Sequence, residues 1–198
     1  CTGRGWVESK RLLADIPDLG LGVFVTGASV VEIATGRTVN VASLDPRLAL
    51  SVVEQLRDLP EAVLAFRDAE KVGHDYLVTG SGQLSANTSW WFELNEIVVC
   101  HQRRVTEADL HHTLRLGCVA PHRRLAPIVE RLRVTMGDRI MVHSFAAVQR
   151  SVTEEQMHVL EVFAPGVDKW RGLRWIAQQR SVSPHQIATF GDQINDVS

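Results

Sequence analysis

The chain has 198 residues, 45% of them hydrophobic and 22% charged, with a formal net charge of −2. That length accommodates one large or two small domains, and the composition is that of a folded globular protein rather than a disordered one. The charge balance gives no electrostatic basis for nucleic acid or an anionic membrane as partner, and an uncharged stretch such as Leu19 to Val31 is too short, and too interrupted by glycine, to span a bilayer.

Taken in chain order, Trp6, Leu12, Leu13 and Ile16 fall between charged residues at helical spacing, and Pro17 to Gly20 ends that helix. Gly22 to Thr26 reads as a short strand with a turn at Gly27. Val30 to Ile33 and Thr38 to Val41 read as a hairpin around Thr35-Gly36-Arg37. Asp45 caps a helix from Pro46 to Arg57, where proline suits the first helical position. Ala62 to Phe66 and Tyr76 to Val78 are strand-like, and so is the aromatic, β-branched run from Trp90 to Cys100. Thr106 to Asp109 opens a short helix, Leu114 to Ala120 is a strand and Pro121 to Leu132 a helix. Arg139 to Phe145 and His158 to Phe163 are further strands. Asp168 to Gln179 is a helix, Ser183-Pro184 a turn, and Ile187 to Phe190 a short apolar strand.

The pattern changes along the chain. Both ends look like α/β units, with helices flanking short apolar strands of the kind found in a parallel sheet covered on both faces. The middle mixes hairpin-like strands with a few helices. The expected organisation is an α/β core from residues 1–33 and 163–198, incomplete as it stands, with an α+β domain inserted over 34–162.

Ligands of open α/β sheets bind beyond the carboxyl ends of the strands. At that end of Ile187 to Phe190 the chain presents Asp192, Asn195 and Asp196. Carboxylates four apart on one loop repel unless a cation or donors satisfy them, and hard oxygen ligands suit Mg²⁺; otherwise Asp192 caps a following helix and Asp196 is solvated. Thr2-Gly3 combines a hydroxyl and a bare backbone just before a helix, an arrangement suited to phosphate. The same tripeptide recurs as Thr35-Gly36-Arg37, but an alternating, strand-like segment follows it, so Thr2 is the phosphate-site candidate and Thr35 a turn residue. Lys169 stands at a helix start, where the macrodipole favours anions, so it either serves an anion or is a solvated surface lysine. A hydroxyl, an ammonium and an acidic loop together are the parts of a phosphoryl-transfer site.

The order Thr2-Gly3-Arg4, Thr26-Gly27-Ala28, Pro165-Gly166-x-x-Lys169 and Gly191-Asp192-x-x-Asn195-Asp196 resembles the haloacid dehalogenase (HAD) superfamily, most closely its Cof-type phosphatases with a subclass IIB cap. The resemblance implies a HAD-like parallel-sheet core and a cap that reads the leaving group. Thr2 and Gly3 would bind the phosphoryl group, Lys169 would neutralise it and orient the nucleophile, Asn195 would lie near the phosphate, and Asp192 and Asp196 would hold Mg²⁺. It also implies a cytoplasmic hydrolase acting on a small phosphorylated metabolite, with a sugar phosphate as the plausible class. Thr26 departs from the Asn usual in such proteins and Trp170 from a Gly, which puts the pocket's shape in doubt more than its chemistry. The family's nucleophile is the first Asp of an Asp-x-Asp motif, and none occurs here, so the chain is expected to be an internal segment whose nucleophile lies before Thr2. A sugar-phosphate mutase, or a non-catalytic ligand-binding protein on the same scaffold, would share the remaining motifs.

Other features have plainer readings. The eight histidines are scattered, with no His pair at metal-ligand spacing. Trp90-Trp91 could stack a ligand ring, but adjacent strand residues face opposite ways, and packing is the simpler role. Arg103-Arg104 and Arg123-Arg124 are too few for a nucleic-acid patch. Three cysteines without CxxC spacing fit buried thiols of a reduced protein, and Asn87-Thr88-Ser89 is a chance glycosylation match.

Overall fold

The computed structural model describes residues 1–147 and 156–189. Among these the elements run α1 (Trp6–Leu13), β1 (Leu21–Phe24), β2 (Ser29–Glu32), β3 (Arg37–Val41), α2 (Pro46–Leu56), β4 (Val63–Arg67), α3 (Ala69–Val72), β5 (Tyr76–Thr79), α4 (Ala86–Leu94), β6 (Val99–His101), β7 (Thr113–Pro121), α5 (His122–Met136), β8 (Met141–Ala146), β9 (Met157–Phe163) and α6 (Lys169–Gln179). The chain divides into two compact units, Cys1–Ala42 together with the chain from Gly166, and Ser43–Pro165.

In the first unit β1, β2 and β3 form a three-stranded antiparallel sheet, with Val23 opposite Val30 and Glu32 opposite Arg37. Pairing with β2 keeps β3 in this unit, so the chain leaves it after Ala42 rather than after residue 33. The segment Gly22 to Thr26 does not enter a parallel sheet among the described residues. Its strand stops at Phe24, and a tight 3₁₀ turn over Val25–Gly27 sends the chain back alongside. No strand is present at 187–189, and Phe190 lies outside the described residues. Phe24 and Val25 are fully buried, and Trp6 of α1 meets Phe24 edge-on with ring centroids 5.5 Å apart.

The second unit is a six-stranded sheet in the order β6-β5-β4-β7-β9-β8, antiparallel throughout except for the parallel pair β5–β6. Period-two alternation points Leu116, Cys118 and Ala120 of β7 into the core. On α2, Ala49, Val52, Val53 and Leu56 recur at helical spacing and supply its packing stripe, while Asp45 accepts hydrogen bonds from the N–H groups of Arg47 (2.9 Å) and Leu48 (3.2 Å). The Arg115 guanidinium donates to Glu161 at 2.6 Å and to the Tyr76 hydroxyl at 2.5 Å, and lies over the Phe66 ring at 5.2 Å. Glu161 is buried, so its charge is held by that cation rather than by water.

The run Trp90 to Cys100 is not one strand. Ser85 accepts from the Thr88 N–H at 3.0 Å and starts α4, which buries Thr88 and Phe92 one turn apart, and only Val99–His101 is extended. A cap and a one-sided contact outweigh the β preference of Trp and Phe. Trp90 and Trp91 therefore sit on a helix, their rings 6.2 Å apart and tilted edge-on. Of the cysteines, Cys1 is exposed, Cys100 half-buried and Cys118 buried. Burial, with a smaller contribution from the Glu61 carboxylate, pushes the Cys118 thiol up to about 12.

Candidate active site

The first unit carries every described candidate residue. Thr2 to Arg4 runs beside the end of β1. The Thr2 N–H donates to the Val23 carbonyl (2.9 Å), the Thr26 N–H to the Thr2 carbonyl (3.1 Å), and the Val25 N–H to the Arg4 carbonyl (2.9 Å). The Thr2 hydroxyl accepts from the Arg4 N–H at 3.2 Å, and among the described residues its own proton has no acceptor.

The start of α1 is a less open anion site than its sequence suggests. Glu8, buried in the first turn, accepts from the Gly5 N–H at 2.6 Å, and the Ser9 hydroxyl donates to the Gly5 carbonyl at 2.9 Å. One of the helix's unpaired N–H groups is thus already met by a carboxylate, whose negative charge opposes a second anion there.

Lys169 arrives from the other end of the unit, as the first residue of α6. Asp168 caps that helix, its carboxylate accepting from the Arg171 N–H at 2.6 Å. The Cys1 thiol lies 3.8 Å from the Lys169 carbonyl, although the two residues are 168 apart in sequence. Gly27 sits between the two segments. A Cβ there would fall 1.8 Å from the Asp168 carbonyl oxygen and 3.2 Å from the Lys169 backbone nitrogen. On the opposite flank, a Cβ on Gly3 would lie 3.4 Å from the Thr26 hydroxyl oxygen. Thr2-Gly3, Thr26-Gly27 and Asp168-Lys169 are therefore three segments in lateral contact.

Asp192, Asn195 and Asp196 lie outside the described residues. The described residues supply a hydroxyl, on Thr2, and an ammonium, on Lys169, groups suited to an anion, while the backbone N–H groups of Thr2, Arg4, Val25 and Thr26 are already engaged. Among the described residues no group of three or more His, Cys, Asp or Glu converges to hold a metal, and Asp168 is engaged as a cap.

Two features escape the linear reading. Val25 and Thr26 adopt left-handed backbone conformations, φ 53° and 57°, rare for β-branched residues; Gly27 after them is the only local cue. In the second unit, His122 and His158 face each other with ring centroids 4.4 Å apart. Burial and the His122 charge hold the His158 imidazole below the usual range. A separate groove in the first unit, lined by Trp6, Leu13, Ile16, Leu19 and Ile33, contains none of the candidate residues.

A family model described as haloacid dehalogenase-like hydrolase matches residues 1–198. The sequence finds no match among the curated proteins. Among solved structures, a haloacid dehalogenase-like hydrolase from Bacteroides thetaiotaomicron superposes with a TM-score of 0.75 at 17% identity, covering 98% of this chain and 68% of that one. A haloacid dehalogenase-like hydrolase from B. subtilis gives 0.69 at 13% identity, over 98% of this chain and 70% of the other. The HAD subclass IIB sugar phosphatase BT4131 gives 0.66 at 11% identity, over 99% and 67%. The chain thus spans about two thirds of the length of each, with the same α/β fold. With a match over its whole length and a fold shared with these structures, the chain belongs to the haloacid dehalogenase-like hydrolase family.

Proposed function

We propose that this chain supplies most of a Mg²⁺-dependent phosphatase that hydrolyses phosphate monoesters, with sugar phosphates the favoured class. The observation that supports the reading is the lateral contact of the backbone segments Thr2-Gly3, Thr26-Gly27 and Asp168-Lys169, which come from distant parts of the sequence. The sugar phosphatase among the structural neighbours supports the substrate class.

In this reading the Thr2 hydroxyl donates to a phosphoryl oxygen, and the Lys169 ammonium balances the charge that builds on the equatorial oxygens. The attacking carboxylate is an Asp in a segment before Thr2. Its bond to phosphorus forms as the bond to the leaving oxygen breaks, and the second Asp of the upstream Asp-x-Asp motif gives that oxygen its proton; the same Asp then takes a proton from the water that hydrolyses the aspartyl-phosphate. Asp192 and Asp196 would hold Mg²⁺ and Asn195 would assist at the phosphate; the cation would supply further charge neutralisation. Ser43–Pro165 serves as the cap that reads the leaving group. The enzyme works in the cytoplasm, and no helix among the described residues is long and apolar enough to cross a membrane.

The test is phosphate release from a panel of sugar phosphates by a protein extended upstream to include that Asp, with and without Mg²⁺. Lys169→Ala lowers turnover by about a hundredfold or more while the circular dichroism spectrum is kept. Near-normal turnover in that variant rejects the role of the ammonium. Tight binding of a sugar phosphate without any release points instead to a ligand-binding protein on this scaffold.

A further inference from the structure

We infer that Thr26 is a positioning residue, and that the strained turn Val25–Gly27 acts as a spacer setting the distance between the Thr2 hydroxyl and Lys169; the inference rests on the phosphate-site reading above. Val25 and Thr26 hold φ of 53° and 57°, and Gly27 follows at 100°. Two consecutive β-branched residues in the left-handed region carry a backbone cost that ordinary turn formation does not require, since Gly or Asn would make the same turn without it. Such a conformation persists only where its surroundings over-determine it.

The surroundings here are the two halves of the candidate site. On one side the Thr26 N–H holds the Thr2 carbonyl at 3.1 Å, the Val25 N–H holds the Arg4 carbonyl at 2.9 Å, and the Thr26 hydroxyl stands at Gly3. On the other side Gly27 lies so close to the Asp168 carbonyl that no side chain fits between them, which fixes the start of α6 and hence the backbone of Lys169. Thr26 is buried, 4% exposed, so its hydroxyl has little access to a ligand and acts through Thr2 and Gly3. Width and rigidity are the properties such a turn contributes. A hydroxyl and an ammonium closing on one phosphoryl group lose effect steeply when their separation drifts by an ångström.

The test uses inorganic phosphate as probe, its affinity for the protein extended upstream as above read by calorimetry beside the melting temperature of each variant. Lys169→Ala first establishes that the binding measured is at this site. Thr26→Gly keeps the N–H to Thr2 and removes both the strain and the side chain; it weakens phosphate binding about tenfold with a melting temperature equal to or above that of the parent. Thr26→Asn, which tolerates the left-handed region and retains a polar side chain, restores affinity to within about twofold. Gly27→Ala weakens binding at least as much as Thr26→Gly, and loses stability too. If Lys169→Ala weakens phosphate and Thr26→Gly does not, the spacer is overturned and the site stands. If phosphate binds no differently after Lys169→Ala, the site reading falls and the spacer with it.

Discussion

Thr-Gly-Arg occurs twice in the first unit, and both copies fold into the same local turn. The Arg4 N–H donates to the Thr2 hydroxyl at 3.2 Å, and the Arg37 N–H donates to the Thr35 hydroxyl at 3.2 Å. What separates them is the fate of the hydroxyl proton. Thr35 gives its proton to Glu32 at 2.7 Å, within a hairpin that pairs Glu32 with Arg37. Thr2 has no such acceptor among the described residues and lies against Thr26, whose neighbour Gly27 abuts Asp168. A tripeptide builds a turn; long-range neighbours decide whether that turn is a site.

The strongest way to break this comparison is to delete each hydroxyl in the extended phosphatase. Thr2→Ala lowers turnover by about a hundredfold to a thousandfold, the scale of losing one donor to a developing charge. Thr35→Ala leaves turnover at the parent level, because its hydroxyl is committed to the hairpin. Steady-state rates on one sugar phosphate check both. Equal losses in the two variants would mean that the second copy reaches the substrate too.

Much of this was legible in advance, and what was not has a common cause. Asp45-Pro46 marks a helix start chemically, and the helix begins at Pro46. The alternation in β7 and β9 reads as strands because one face of each is buried. The two copies of Thr-Gly-Arg separate because a helix follows one and a strand the other. The misreadings are all decided by partners far along the chain or by competition between local preferences. Trp90 to Leu94 is helical because Ser85 caps it and Phe92 packs, against the β preference of its residues. The left-handed Val25-Thr26 pair contradicts what β-branched residues favour, and becomes intelligible only from the contacts with Thr2 and Asp168. Glu8, an ordinary helical acid in sequence, is buried at the start of α1 and alters the electrostatics there.

Glycine gives a second contrast between the two turns, in stability rather than rate. Gly36 has φ 72°, and a Cβ on it would lie 3.0 Å from the Trp6 indole nitrogen. Gly36→Ala loses about 1–2 kcal/mol, from the left-handed backbone and the push on Trp6. Gly3 has no left-handed backbone, and among the described residues its Cβ would meet only the Thr26 hydroxyl, at an ordinary 3.4 Å. Gly3→Ala changes stability by no more than about 0.5 kcal/mol. Urea midpoints of the two variants decide the matter, and a larger loss at Gly3 would show that the first turn is the more tightly built of the two.

The smallest effect lies on the acceptor of the Thr35 proton. The Thr35 hydroxyl, and secondarily Arg37 with its guanidinium 3.5 Å away, hold the Glu32 carboxyl below its usual 4.5. A carboxyl whose folded-state value is depressed contributes stability above its unfolded value, and that contribution disappears as pH falls through the folded one. Removing the hydroxyl takes away the larger of the two causes. Glu32 in Thr35→Ala therefore titrates closer to 4.5, and the variant's stability falls less between that pH and more acidic solution than the parent's does. Glu32 is solvent-exposed, so the shift is screened and is best read directly, from the carboxyl carbon resonance of Glu32 against pH. A midpoint unmoved by Thr35→Ala would assign the depression to Arg37 alone. The Thr35 proton would then be without an acceptor, as that of Thr2 is among the described residues, and the distinction between the two turns would rest on the neighbours Gly27 and Asp168.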